Sequence, residues 1–191
     1  MSENLLLKLT KQQFIPSISI RNLGQAFSLA KQLVDDGYSM IEVIVGDEKS
    51  TEDLALDAII QIDDQICNAY VGAGGISSTR QLLKFRKAGA HFLTSPGISG
   101  KMMKAAIAHR IPFIPGTATP SDIVFGLEEG FSLFNLFPAS NLGGANYVSS
   151  LAERLPQAGL CLAGGLSEDT ARACLALTNV VAAFGDWMIP K

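Results

Sequence analysis

Cysteine, histidine, aromatic residues and an excess of positive charge are all scarce in this 191-residue chain, and each scarcity removes a class of protein. The three cysteines, Cys67, Cys161 and Cys174, lie far apart with no C-x-x-C spacing. An odd count with apolar flanks points to reduced core thiols and a cytoplasmic setting rather than to a disulfide framework. With only two histidines, no zinc-ligand spacing arises. Lys and Arg number 15 against 18 Asp and Glu, a formal net charge of −3 with no basic run, which speaks against a nucleic-acid surface. No apolar run approaches the roughly eighteen residues that a membrane span needs. The opening "MSENLLLKLTKQQ" lacks the apolar core of a secretory leader. A Ser-His-Asp set, a Walker loop and a dinucleotide fingerprint are absent too.

What remains is aliphatic: hydrophobic residues make up 48% of the chain and aromatics only 7%. That length suits a single domain, residues 1–191, with a real core. Short apolar runs predict strands at Phe14–Ile20, Met40–Gly46, Ala69–Gly74, His91–Pro96, Phe113–Thr117, Phe131–Pro138, Leu160–Gly165 and Val180–Gly185. Segments with helical apolar spacing, such as "LGQAFSLAKQLVDDG" and "STRQLLKFRKAG", separate them. Strands apolar on both faces that alternate with helices indicate a parallel sheet, and eight of them suit a closed (β/α)8 barrel.

Several strands run into glycine and then a hydroxyl residue: "VGAGGISS", "TSPGISG", "IPGTATPSD" and "LAGGLSED". Ser77, Ser99, Thr119 and Ser167 are then N-cap or first-turn residues of the following helices, and their N-termini gather at the ligand-binding end of the barrel. After the eighth strand comes only "DWMIPK", so the last outer helix is missing or very short. A neighbouring subunit is a candidate to cover that flank.

Alternation places polar groups among these apolar strands. In "MIEVIVG" Glu42 shares a face with Met40 and Ile44, where an ionised carboxylate is costly and its pKa rises. It is either an active-site group or a structural carboxylate met by backbone amides or water. In "FSLFNLFPAS" Asn135 shares a face with Leu133 and Phe137, so it points either to the barrel axis or to an outer helix. Asp186 follows Gly185 at the mouth, as a ligand contact or a cap. Gly164 and Gly165 offer backbone N–H groups of the kind that cradle phosphate, which a nearby aspartate opposes. His91, His109 and Cys161 read as structural, and Lys49 as a solvated charge.

The ordered runs "VGAGGI", "AGAHFLTSPGIS", "IPFIPGTATPSD", "LFNLFPA", "AGGLS" and "FGDWMIP", from about Phe14 to Pro190, resemble the 2-keto-3-deoxy-6-phosphogluconate and 4-hydroxy-2-oxoglutarate aldolases. The resemblance implies a homotrimeric (β/α)8 barrel without a metal or other cofactor. Such enzymes cleave a 2-oxo acid to pyruvate and an aldehyde through a lysine Schiff base. Matched residue by residue, the general-base glutamate falls on Glu42, the proline at the end of the fourth strand on Pro96, and the aromatic two residues beyond the lysine on Phe137. The glycine pair of the phosphate site falls on Gly164 and Gly165.

The departures weigh more. The lysine position holds Asn135, the carboxylate-binding arginine position Gly46, two threonine positions Gly75 and Ala163, and the phosphate-site serine position Asp186. An amide nitrogen has no basic lone pair and forms no imine. The loss of the arginine removes a bidentate anchor. Acid–base help from Glu42 alone is worth about 10²–10⁴-fold. Three readings follow from the sequence. The first is a family member that binds or acts on a small 2-oxo acid at the mouth without imine turnover. The second is a lyase assisted by Mg²⁺ or Mn²⁺ on Glu42, Asn135 and Asp186, with Asp47 near. The third is a non-catalytic, oligomeric binding or structural barrel.

Overall fold

The computed structural model describes residues 3–46 and 48–190. Its elements alternate along the chain. The strands are β1 (Phe14–Ser19), β2 (Met40–Ile44), β3 (Tyr70–Gly74), β4 (Phe92–Thr94), β5 (Phe113–Ile114), β6 (Gly116–Thr117), β7 (Leu133–Leu136), β8 (Gly159–Leu162) and β9 (Val180–Gly185). The helices are α1 (Glu3–Gln12), α2 (Leu23–Asp35), α3 (Lys49–Gln65), α4 (Thr79–Lys87), α5 (Gly100–Ala108), α6 (Pro120–Glu128), α7 (Gly144–Arg154) and α8 (Glu168–Leu175).

All strand pairs are parallel, in the order β5-β4-β3-β2-β1-β9-β8-β7-β6. The two outermost strands of that order are consecutive in the chain and flank Pro115, so the sheet closes on itself as a barrel. The fifth strand expected from the sequence is thus two short ones, because proline has no N–H to give to the ladder. Its first half pairs with β4 and its second with β7. At the seam the Asn135 amide N–H donates to the Pro115 carbonyl at 2.9 Å.

Two cores follow from strand alternation. Ile41, Val43, Phe134 and Leu136 pack outward against the helices, while Ile15, Met40, Phe92, Ile114, Leu133, Cys161, Ala182 and Phe184 fill the interior. α1, which hydrophobic periodicity over so short a segment did not reveal, buries Leu5 and Leu9 in that same inner cluster. Gln12 stitches this helix to the strands, donating to the Phe14 and Met40 carbonyls and accepting from the Met40 N–H.

Ser99, Thr119 and Ser167 cap α5, α6 and α8 as expected. α4 is capped by Ser78 rather than Ser77, whose hydroxyl and N–H meet the Gln81 side chain instead. Among the described residues no helix follows β9. There Trp187 lies edge-on to Phe14, ring centroids 6.4 Å apart, and a Cβ on Gly185 would stand 1.6 Å from the indole. Of the thiols, Cys161 and Cys174 are buried but Cys67 is exposed, against the expectation of three core cysteines, because it sits in the turn after α3. Among the described residues no helix is long and apolar enough to cross a membrane.

Candidate active site at the barrel mouth

Glu42 points inward from β2 and is 3% exposed. Its space is made by Gly74 on the neighbouring strand, where a Cβ would lie 2.5 Å from the carboxyl group. Ser17 of β1 donates to Oε2 and Thr94 of β4 donates to Oε1, both at 2.7 Å. Burial raises the Glu42 pKa above its ordinary value and outweighs the opposing effect of those hydroxyls. Among the described residues, the carboxylate is therefore satisfied by two side-chain hydroxyls.

Asn135 also points inward. It follows Leu133 on the inner face of β7, 4% exposed, in register with Gly116 and Cys161. Its Nδ2 donates to the Ser95 carbonyl at 3.0 Å, and its Oδ1 is buried without a partner. Thr94 and Ser95 are consecutive, so Glu42 and Asn135 grip the same end of β4, one through a side chain and the other through a carbonyl. Ser95 adds a further tie: its Oγ accepts from the Gly116 N–H at 2.9 Å and donates to the Gly97 carbonyl at 2.8 Å. The segment Ser95–Gly97 runs so close over Gly116 that a Cβ there would lie 2.3 Å from the Gly97 nitrogen. Pro96 sits exposed in that crossing segment.

Across the mouth, Phe137 leans on Gly164, where a Cβ would lie 2.9 Å from the ring. Gly164 and Gly165 both take positive φ, 92° and 71°, which glycine adopts without strain. Among the described residues, neither of their N–H groups donates to a backbone carbonyl, while Ala163 and Gly164 accept from Ala139 and Ser140. Cys161 lies deep in the interior, its thiol pushed up first by burial and then by the Glu42 charge, which fits a packing role.

Other expected groups lie apart. Asp186 is exposed and lines a cleft of about 320 Å³ between β1, α2 and the C-terminal turn, together with Arg21 and Trp187. Ser17 lines that cleft as well, and so connects it to the Glu42 carboxyl. Among the described residues, no three or more His, Cys, Asp or Glu side chains are placed to hold a metal ion. Of the trio Glu42, Asn135 and Asp186, the first two are buried and the third is exposed. Asp47 lies outside the described residues. Lys49 opens α3 and is exposed beside Glu52 and Arg80. His91 stacks on Tyr70 at 4.5 Å with Nε2 3.5 Å from Asp63, and His109 is the C-cap residue of α5. The sequence reading missed Ser17, Thr94 and Ser95. The signal for the first two is a hydroxyl on the inward parity of β1, beside β2, and of β4, two strands from β2 across the side-chain-free Gly74.

The profile of the KDPG and KHG aldolases matches residues 6–191. This chain belongs to the KDPG and KHG aldolase family. It is 36% identical over 182 residues to the KHG/KDPG aldolase of Escherichia coli K12, covering 95% of this chain and 83% of that one. The 2-dehydro-3-deoxy-phosphogluconate aldolase of Dickeya dadantii is 35% identical with the same coverage. Among solved structures, the 2-keto-3-deoxy-6-phosphogluconate aldolase of Zymomonas mobilis ATCC 29191 superposes with a TM-score of 0.90 at 28% identity, over 100% of this chain and 89% of that one. The KDPG aldolase of Legionella pneumophila, solved with pyruvate captured as a covalent carbinolamine, gives 0.89 at 29% identity over 97% and 88%. As an aldolase-family barrel, the chain carries its inward polar groups, Ser17, Glu42, Thr94 and Asn135, in the upper half of the interior.

Proposed function

We propose that this family member keeps a small polar pocket at the barrel mouth for a small oxygenated acid of the size of the 2-oxo acids, and does not run the imine reaction. The carrying observation is the inward amide of Asn135, its nitrogen committed to the Ser95 carbonyl where a nucleophilic amine is needed. A carbinolamine such as the one captured in the Legionella enzyme requires an attacking amine. No strand of this chain carries a lysine, and among the described residues no lysine is buried. Gly46 adds to this, because a Cβ there would lie 2.1 Å from Thr51 Oγ1, so Thr51 fills the start of the path an arginine would take.

In this reading Glu42, its pKa raised by burial, is the proton-handling group. Pro96, Phe137, Gly164 and Gly165 wall the mouth, and Asp186, in the adjoining cleft that Ser17 connects to Glu42, disfavours a phosphate. A cation-assisted lyase has less support, since both Glu42 oxygens already accept from hydroxyls and Asp186 is exposed at the β1 side. A homotrimer, with a neighbour over the flank that lacks a helix, extends the family resemblance.

The test is borohydride reduction with pyruvate, read by intact mass. The wild-type chain stays unmodified, and Asn135→Lys, which supplies an amine at that position, gains the pyruvate-derived mass. A stable adduct on the wild type overturns the reading.

A further inference from the structure

Hydrogen-bond supply at the mouth is lopsided. The Asn135 amide is fixed in one orientation, since a flip would set Oδ1 against the Ser95 carbonyl, acceptor against acceptor. Oδ1 is left over, buried and unpartnered, on the inner face of the barrel. Its neighbours in register supply nothing: Gly116 has no side chain, and Cys161 offers only a thiol that makes no hydrogen bond to it. The hydroxyl hydrogens of Ser17 and Thr94 are directed at Glu42. Among the described residues, Asn135 Oδ1 thus receives no hydrogen bond, and a buried acceptor without a donor is costly.

We infer that the mouth selects a ligand bearing a hydroxyl over one bearing a ketone, so a small 2-hydroxy acid binds in preference to the 2-oxo acid of the same skeleton. This rests on the reading that a small oxygenated acid enters the mouth. A ketone oxygen has lone pairs only and opposes Oδ1. A hydroxyl brings the one hydrogen that Oδ1 lacks. Charge and carbon skeleton are the same in the pair, so the preference isolates this single contact. Sites with a polar group that depends on a ligand donor discriminate against the analogue without it, here by about tenfold or more.

The experiment titrates the full-length chain with D-lactate, L-lactate and pyruvate and follows the Asn135 side-chain amide by ¹H–¹⁵N NMR, with Asn135→Leu to assign the signal. One lactate enantiomer shifts that amide and binds at least about tenfold tighter than pyruvate. In Asn135→Leu, if it folds, the two bind alike. If pyruvate shifts the amide at an equal or lower concentration, the selection is overturned while the pocket reading stands. If neither ligand moves the amide, both fall. The wild-type comparison decides even where the variant does not fold.

Discussion

Alanine at Gly116 should damage the mouth far more than alanine at Gly97, although the two glycines lie against each other. A Cβ on Gly116 would meet the Gly97 nitrogen at 2.3 Å and the Pro96 carbon and Ser95 oxygen at 2.4 Å. All three are backbone atoms, so no rotamer relieves the clash. To reach 3.4 Å, where ordinary contact begins, the segment has to retreat by about 1.1 Å from its 2.3 Å position. Overpacking of that kind costs about 1–3 kcal/mol. The retreat also loosens the bonds from Gly116 N–H to Ser95 Oγ and from Asn135 Nδ2 to the Ser95 carbonyl. At about 0.5–1.5 kcal/mol for each, the total is about 2–6 kcal/mol. Gly97 has no atom within 4 Å of its would-be Cβ and no positive φ. Its alanine variant should lie within about 0.5 kcal/mol of the wild type. Urea unfolding of both variants measures the contrast. A Gly116→Ala cost below about 1 kcal/mol, or equal costs at the two sites, refutes the claim that this segment is clamped over the barrel.

Glu42→Gln keeps an acceptor for one of the two hydroxyls, Ser17 or Thr94, lets the other accept from the new NH2, and removes the charge. Because burial raises the folded pKa of Glu42, the folded state holds its proton longer than the unfolded chain does. Wild-type stability therefore falls as pH rises from the ordinary 4.5 through the raised value, and the variant, measured by thermal unfolding, gains on the wild type over that window. Glu52 behaves in the opposite sense. The Arg80 guanidinium, then Lys84, hold its pKa down to about 2, so the stability it contributes is present above 4.5 and is lost as pH falls towards 2. Arg80→Ala should shift the acid-unfolding midpoint upward, and an unchanged midpoint would discard this ion cluster as a source of acid resistance.

The barrel was legible because its causes are local. Apolar runs such as Met40–Ile44, and hydroxyl residues such as Ser99 and Thr119 ahead of amphipathic segments, declare strands and helix starts within a few residues. Strand ends were read too long at Gly46, Pro96 and Pro138, because apolar composition continues where the chain already turns over the mouth. The split at Pro115 was visible as a proline, but its use as the closing seam depends on two different neighbours, β4 and β7. Parity within one strand placed Asn135 and Glu42 on candidate inner faces, which is all that a period of two can supply.

Only the assembled barrel decided what those faces meet. Ser17 and Thr94 come to Glu42 from positions 25 and 52 residues away, and Ser95 comes to Asn135 across 40 residues. Partners at such separations are set by strand order and register, properties of the closed sheet that leave no local trace in composition or spacing. The identity of an amide on the sixth barrel strand belongs to the sequence alone. That its nitrogen is bound and its oxygen is left without a donor belongs to the tertiary structure, because hydrogen-bond supply is a count over neighbours that the chain brings together only when it closes.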